Sequence, residues 1–176
     1  MKHRVFVALP ISEKLQQVIL DWEKDFADLP VRWLAGKNLH ITLVPPWYIE
    51  DQELEKLEGI LQGVAGFGEF KISFRRVTFG PDPRRPRLIW AEGETPEGLL
   101  ELYKKIHEVL GREEEKRPFQ LHLTIARFQP ENFSSFPIQR LDEKVDWRDK
   151  VDRVVLFESR LSREGADYKV ITEATL

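Results

Sequence analysis

The chain has 176 residues, enough for one large domain with a buried core, and its formal net charge of −3 excludes a uniformly basic nucleic-acid coat. It contains no cysteine, which excludes a thiol nucleophile, a thiolate metal centre and structural disulfides. No apolar run approaches membrane-spanning length, and the stretch from Val5 to Leu9 is too short for an export signal, so a cytoplasmic protein without a membrane partner is expected.

In chain order, Val5 to Leu9 reads as a strand, and Pro10 with Ser12 marks a helix start. Leu15, Val18, Ile19, Trp22 and Phe26 recur at helical spacing, which predicts one buried stripe ending before Pro30. Val31 to Leu34 leads through Gly36 into Leu39-His40-Ile41-Thr42-Leu43, a strand that Pro45 and Pro46 are expected to terminate. A second helix, capped near Asp51, is expected to turn Leu54, Leu57, Ile60, Leu61 and Val64 inward until Gly63, Gly66 and Gly68 break it.

Phe70, Ile72 and Phe74 alternate with polar residues in a strand that runs to Phe79, and a turn over Gly80 to Pro86 returns it as Arg87 to Ala91. A third helix is predicted from about Pro96 to Leu110, burying Leu99, Leu102, Tyr103, Ile106, Val109 and Leu110, with Gly111 past its end. A charged loop over residues 112–117 precedes Leu121-His122-Leu123-Thr124-Ile125. Residues 129–150 show no clean period and are expected to be a long connection with one helical turn. Val151 to Ser159 and Tyr168 to Thr172 close the chain as two strands around a turn near Gly165.

Two stretches therefore read alike. In a strand, side chains two apart share a face, so His40 and Thr42 oppose Leu39, Ile41 and Leu43, and His122 and Thr124 oppose Leu121, Leu123 and Ile125. The histidines stand 82 positions apart, close to half the chain, and each marked strand follows a helix. A duplicated α+β unit with the two strands facing across a groove is the economical picture. Two histidines near neutrality can share acid and base duty at phosphorus, and threonine hydroxyls beside them can donate to its non-bridging oxygens. Zinc is the rival use. It wants three protein ligands, and here only two histidines are well placed, each followed by threonine, a poor zinc ligand, so no metal is expected.

His107 reads as a partly buried helical histidine, and His3 is expected at a frayed terminus. Arg75, Arg76, Arg84, Arg85 and Arg87 crowd a hairpin that also carries Phe74, Phe79 and Trp90. Such a hairpin can track a phosphate backbone and stack a base, or it can be a solvated tip.

These residues carry a resemblance. Paired His-x-Thr motifs about half a chain apart resemble the two-histidine phosphoesterase superfamily, and the chain is similar to its RNA 2′,3′-cyclic phosphodiesterase (2′-5′ RNA ligase) branch. The likeness extends from Val5-Phe6-Val7-Ala8-Leu9 through Val31-Arg32-Trp33 and Asn38-Leu39-His40-Ile41-Thr42-Leu43 to Phe79 and Pro86-Arg87-Leu88-Ile89-Trp90. It continues in His122-Leu123-Thr124-Ile125-Ala126-Arg127, Leu156-Phe157-Glu158-Ser159, Gly165 and Tyr168. Two stretches depart from the branch: Val44-Pro45-Pro46-Trp47 stands where an aromatic-Leu-Gly run is usual, and Leu121 where proline is usual.

The resemblance implies one two-lobed α+β domain over residues 1–176, with antiparallel sheets, helices outside and a cleft between the lobes. It implies hydrolysis of a terminal 2′,3′-cyclic phosphate to a 2′-phosphomonoester without cofactor or metal, with reversible 2′-5′ ligation as a further capacity. By its motifs His40 matches the general acid and His122 the general base, while Thr42, Thr124 and Arg127 match phosphate-binding residues. Trp47, Phe79, Arg84, Arg85 and Arg87 are candidate RNA contacts. The expected partner is RNA ending in a 2′,3′-cyclic phosphate, such as a tRNA half, or a small cyclic nucleotide, bound by a monomer. Three alternatives stay open: a ribonuclease cutting internal linkages, a phosphodiesterase on 2′-5′ oligoadenylate or an ADP-ribose cyclic phosphate, and a module that binds RNA ends without turnover.

Overall fold

The computed structural model describes residues 1–162 and 165–176. Strand β1 (Lys2–Pro10) leads into helix α1 (Glu13–Glu23), where the Ser12 hydroxyl accepts the Leu15 N–H at 3.1 Å and so satisfies one of the orphan donors of the first turn. Leu15 and Ile19 are buried, but Val18, at the margin of the expected stripe, is 39% exposed. After β2 (Arg32–Trp33) and a single 3₁₀ turn (Gly36–Asn38) comes β3 (His40–Glu50).

Pro45 and Pro46 do not end β3, contrary to expectation; the strand runs four residues beyond them. β3 is the outermost strand of its sheet, and its pairing with β1 jumps from Val7↔Val44 to Val5↔Trp47, so the two prolines bulge opposite Phe6. Both prolines therefore sit where the ladder is interrupted on an edge strand, a place where a missing donor is tolerated.

Helix α2 (Asp51–Leu61) is capped beside Asp51, as expected, by a reciprocal Glu50–Glu53 capping box, and buries Leu61 with Leu54 and Leu57 packed beside it. Ile60 lies off this stripe and is 37% exposed. Strands β4 (Phe70–Gly80) and β5 (Leu88–Glu92) form the expected hairpin, and α3 (Glu97–Leu110) ends at Gly111, whose φ of 61° is the left-handed conformation glycine adopts without strain. β6 (His122–Arg127) follows.

The stretch 129–150 is not the connection its sequence suggests. It holds a 3₁₀ segment (Pro130–Ser135) and then a full strand, β7 (Asp142–Val151), paired along β4. The strand period is masked because β7 is an edge strand with a charged outer face, and because Asp149 breaks the inward series Val145, Trp147, Val151 to accept the Ser12 N–H at 2.8 Å. β8 (Arg153–Ser162) and β9 (Gly165–Thr175) are longer than expected, and the connection between them, expected near Gly165, lies outside the described residues.

The result is an α+β fold with two antiparallel sheets, ordered β3-β1-β8-β9 and β2-β6-β5-β4-β7. Leaving aside the two-residue β2, the orders correspond strand for strand, with a His-x-Thr strand at the same edge of each sheet. Val7, Leu9 and Ile41 of the first sheet share one core cluster with Phe74, Ile89 and Leu123 of the second and with Leu15 and Leu102 of the helices. A smaller cluster of Phe6, Ala8, Val155 and Phe157 covers the other face of the first sheet. His3 is not frayed: its Nδ1 bonds Glu158 at 2.6 Å and its Nε2 bonds Asp51 at 2.7 Å, tying β1 to β8 and to the start of α2. No helix among the described residues is long and apolar enough to cross a membrane.

Candidate active site

Leu39, Ile41 and Leu43 are at most 2% exposed, and so are Leu121, Leu123 and Ile125. That burial fixes register, because a slip of one residue would drive six aliphatic side chains to the opposite face. His40, Thr42, His122 and Thr124 consequently share the half-buried, opposite faces of β3 and β6.

Each imidazole is oriented by the same device. His40 donates Nδ1–H to the Asn38 carbonyl at 2.7 Å, and His122 donates Nδ1–H to the Gln120 carbonyl at 2.9 Å. Both bonds reach two residues upstream, and both leave Nε2 as the nitrogen that can exchange a proton with a ligand. Asn38 is itself anchored, since its side-chain amide donates to the Ala166 carbonyl of β9 at 3.0 Å. The Thr42 hydroxyl donates to His40 Nε2 at 3.1 Å, consistent with a neutral ring.

The surroundings of the two rings differ. His40 is boxed by Phe6, Tyr168 and Phe157, with ring centroids at 5.0, 5.3 and 6.3 Å. Burial in this aromatic box pushes the His40 pKa down to about 4; the Asn38 bond opposes the shift, and the nearby charges of Arg127 and His122 add to it. The structure thus brings His40, His122 and Arg127 into one electrostatic neighbourhood, with β6 lying against β3. His122 faces the Trp90 indole at 5.1 Å. Arg127 is exposed; partial desolvation pulls its pKa down, Tyr168 opposes the shift, and the charges of Arg32, Arg87 and Arg4 add to it. Among the described residues, the buried side-chain atoms lacking a hydrogen-bond partner are Glu23 Oε1, Asn38 Oδ1 and Trp90 Nε1, and the last two flank the two histidines.

The remaining candidates fare unevenly. Trp47 packs against the main core, on the side of β3 away from His40, with the Arg112 guanidinium 4.6 Å over its ring. Phe79 is 6% exposed within a cluster of Phe128, Phe133 and Phe136, so its ring is not available to stack on a base. Arg84 and Arg85 pair with Asp82 and Glu131, whereas Arg87 lines a cleft with Arg127. His107 is buried and donates Nδ1–H to the Tyr103 carbonyl at 2.8 Å, an ordinary core histidine. Among the described residues, no group of three or more His, Cys, Asp or Glu side chains is arranged to hold a metal ion. The sequence reading gave no role to Phe6, Asn38, Gln120 or Tyr168, and counted Trp90 only among the aromatics of the arginine hairpin, not as a neighbour of His122. Phe6 carried a faint signal, since it sits out of phase with Val5, Val7 and Leu9 on a strand where both faces are apolar.

A two-sheet α+β fold with a His-x-Thr strand at the same edge of each sheet is the architecture of a two-histidine phosphoesterase. Comparison with known proteins agrees with it. The chain belongs to the 2′-5′ RNA ligase superfamily, whose family model matches residues 13–163. It is similar to an RNA 2′,3′-cyclic phosphodiesterase of Archaeoglobus fulgidus, 31% identical over 134 residues, which cover 73% of this chain and 74% of that protein. A protein of the same name from Methanocaldococcus jannaschii is 25% identical over 185 residues, covering 97% of this chain and 99% of its own. The fold is shared with E. coli LigT, solved in complex with 3′-AMP, at a TM-score of 0.78 and 23% identity, over 100% of this chain and 99% of LigT.

Proposed function

We propose that the protein hydrolyses a terminal 2′,3′-cyclic phosphate on RNA to a 2′-phosphomonoester, with His40 and His122 as an acid–base pair and without a metal ion. The observation that carries this reading is the matched pair of Nδ1–H bonds to Asn38 and Gln120, which makes Nε2 the proton-exchanging atom of each ring on equivalent strands; at His40 the Thr42 hydroxyl holds that atom until substrate takes its place. The relatives named RNA 2′,3′-cyclic phosphodiesterase support the substrate class.

In this mechanism His122 takes a proton from water as the water attacks phosphorus in line with the 3′ oxygen, and His40 protonates that oxygen as the P–O3′ bond breaks. The 2′ ester survives. Hydroxyls of Thr42 and Thr124 donate to the non-bridging oxygens, and Arg127 balances their charge; each such bond to a charged group is worth about 1.5–3 kcal/mol. His40 is neutral in the unliganded protein at neutral pH. An anionic phosphate beside Nε2 favours the imidazolium, so His40 gains its proton as substrate binds. With a 5′-hydroxyl in place of water, the same pair would form a 2′-5′ linkage.

The test is an oligonucleotide ending in 2′,3′-cyclic phosphate, incubated with and without chelator, with assignment of the hydroxyl that keeps the phosphate. A 2′-phosphate formed at equal rates in both arms is expected. A 3′-phosphate, or a chelator-sensitive rate restored by zinc, would overturn the reading.

A further inference from the structure

Of the five arginines crowding positions 75–87, four are neutralised within the fold. Arg75 pairs with Asp146, Arg76 with Glu92 at 2.7 Å, Arg84 with Asp82 at 3.5 Å and Arg85 with Glu131 at 2.8 Å. Arg87 is different. Among the described residues it has no carboxylate within 4.0 Å, and neither do Arg32 and Arg127. The backbone nevertheless gathers these three: Arg32 and Arg127 are direct partners across β2 and β6, and the Arg87 carbonyl accepts the Phe128 N–H at 2.9 Å.

Arg32 and Arg127 form the common wall of two clefts. One, of about 520 Å³, also includes Asn38 and Tyr168, two residues that contact the His40 ring; its one acidic group, Asp167, is engaged by Lys37. The other, of about 740 Å³, runs on past Arg87 to Gln129 and Asn132. A cationic path thus leaves the histidine pair on the His40 side. On the His122 side the cleft has Glu92 and Glu94 beside Arg75 and Arg76, so charge there is compensated. Three guanidinium groups held together without an internal acid repel one another, and a polyanion relieves that repulsion.

We infer that Arg32 and Arg87 form a subsite for the phosphodiester on the 5′ side of the reacting nucleotide, so that the protein selects RNA strands over mononucleoside cyclic phosphates. This rests on the cyclic phosphodiesterase reading of His40 and His122. A strand ending in a cyclic phosphate continues only in the 5′ direction, and one flank of the site is cationic, which matches the one direction available. Arg127 stands at the junction between the reacting phosphate and the next.

The experiment compares a nucleoside 2′,3′-cyclic phosphate with a trinucleotide ending in the same group, in the native protein and in Arg32→Gln and Arg87→Gln. The expected ratio of kcat/KM, trinucleotide over mononucleotide, is about tenfold or more, the worth of a charge-assisted hydrogen bond, and it falls towards one in both variants. A native ratio near one, or a ratio unmoved by either substitution, overturns the subsite. A binding arm needs no turnover: a trinucleotide 2′-phosphate should bind more tightly than a nucleoside 2′-phosphate, with a salt slope that drops by about 0.7 for each phosphate that is no longer neutralised. If neither substrate is hydrolysed but this Arg32- and Arg87-dependent binding is found, the proposed activity fails while the subsite stands. If hydrolysis proceeds without any such preference, the reverse holds.

Discussion

His40 and His122 occupy the same position in their two sheets. Each opens its strand, and each is the partner of the last residue of the strand before the preceding helix, Pro10 for His40 and Glu92 for His122. Thr42 and Thr124 follow suit, opposite Ala8 and Trp90. Replacing either histidine by alanine is expected to lower turnover on a cyclic phosphate by about 10²–10⁴-fold, the usual worth of a positioned acid or base. Circular dichroism establishes that each variant is folded; near-native turnover in a folded variant would remove that histidine from the mechanism.

The pH profile should carry the mark of the aromatic box around His40. In the unliganded protein the ring titrates at about 4, and because His40 must carry its proton to act as the acid, the limb of kcat/KM that it sets is expected far below the ordinary histidine range. Arg127→Gln removes one of the charges that depress it, and should move that limb upwards whatever it does to the maximum. A limb near 6.5 or above in its place, unmoved by the substitution, would contradict this account of the ring.

Stability should respond to the same group. The folded pKa of His40 lies below its unfolded value of 6.5, so its contribution is complete above pH 6.5 and is lost as pH falls towards 4. The loss is at most about 3 kcal/mol, from 1.36 kcal/mol per unit. Thermal unfolding of the native protein and of His40→Gln, followed from pH 7 to 4, should therefore converge at the acidic end.

His3 has the opposite sign. Asp51 and then Glu158 hold its ring charged and raise its pKa, so its contribution is complete below 6.5 and is lost as pH rises through the raised value. His3→Gln should accordingly cost more stability at pH 6 than at pH 9. An equal cost at both would show that packing, not charge, joins β1 to α2 and β8.

Gly80 supports Trp90 and through it His122. A Cβ at Gly80 would stand 2.6 Å from the indole. Gly80→Ala should displace that ring, destabilising the fold by about 1–3 kcal/mol and lowering turnover, whereas Gly59→Ala, with open space around it, should do neither. Denaturant melts and initial rates measure both effects.

Much of this was legible in the sequence for one reason: the strand period and the chemistry coincide at Leu39–Leu43 and Leu121–Ile125, where a buried aliphatic face dictates which way histidine and threonine point. Legibility fails where tertiary contacts decide. Asp149 interrupts the pattern of β7 because it caps α1, a partnership 137 residues away in sequence. Phe79, a candidate RNA contact beside turn residues, proves to belong to the core, and Trp47 is half-buried against it. The carbonyls of Asn38 and Gln120, which orient both rings, are backbone atoms and leave no trace in residue identity.

The bulge at Pro45 and Pro46 has a consequence beyond strand length. β3 carries His40 on the outermost rim of its sheet, where a row of open donors and acceptors would invite another chain to add a strand. A proline on that rim removes a donor, and the bulge twists the ladder, so neighbouring molecules find no continuous template there. The prolines thus guard against edge-to-edge aggregation, which lets a reactive strand stay at the border of the sheet.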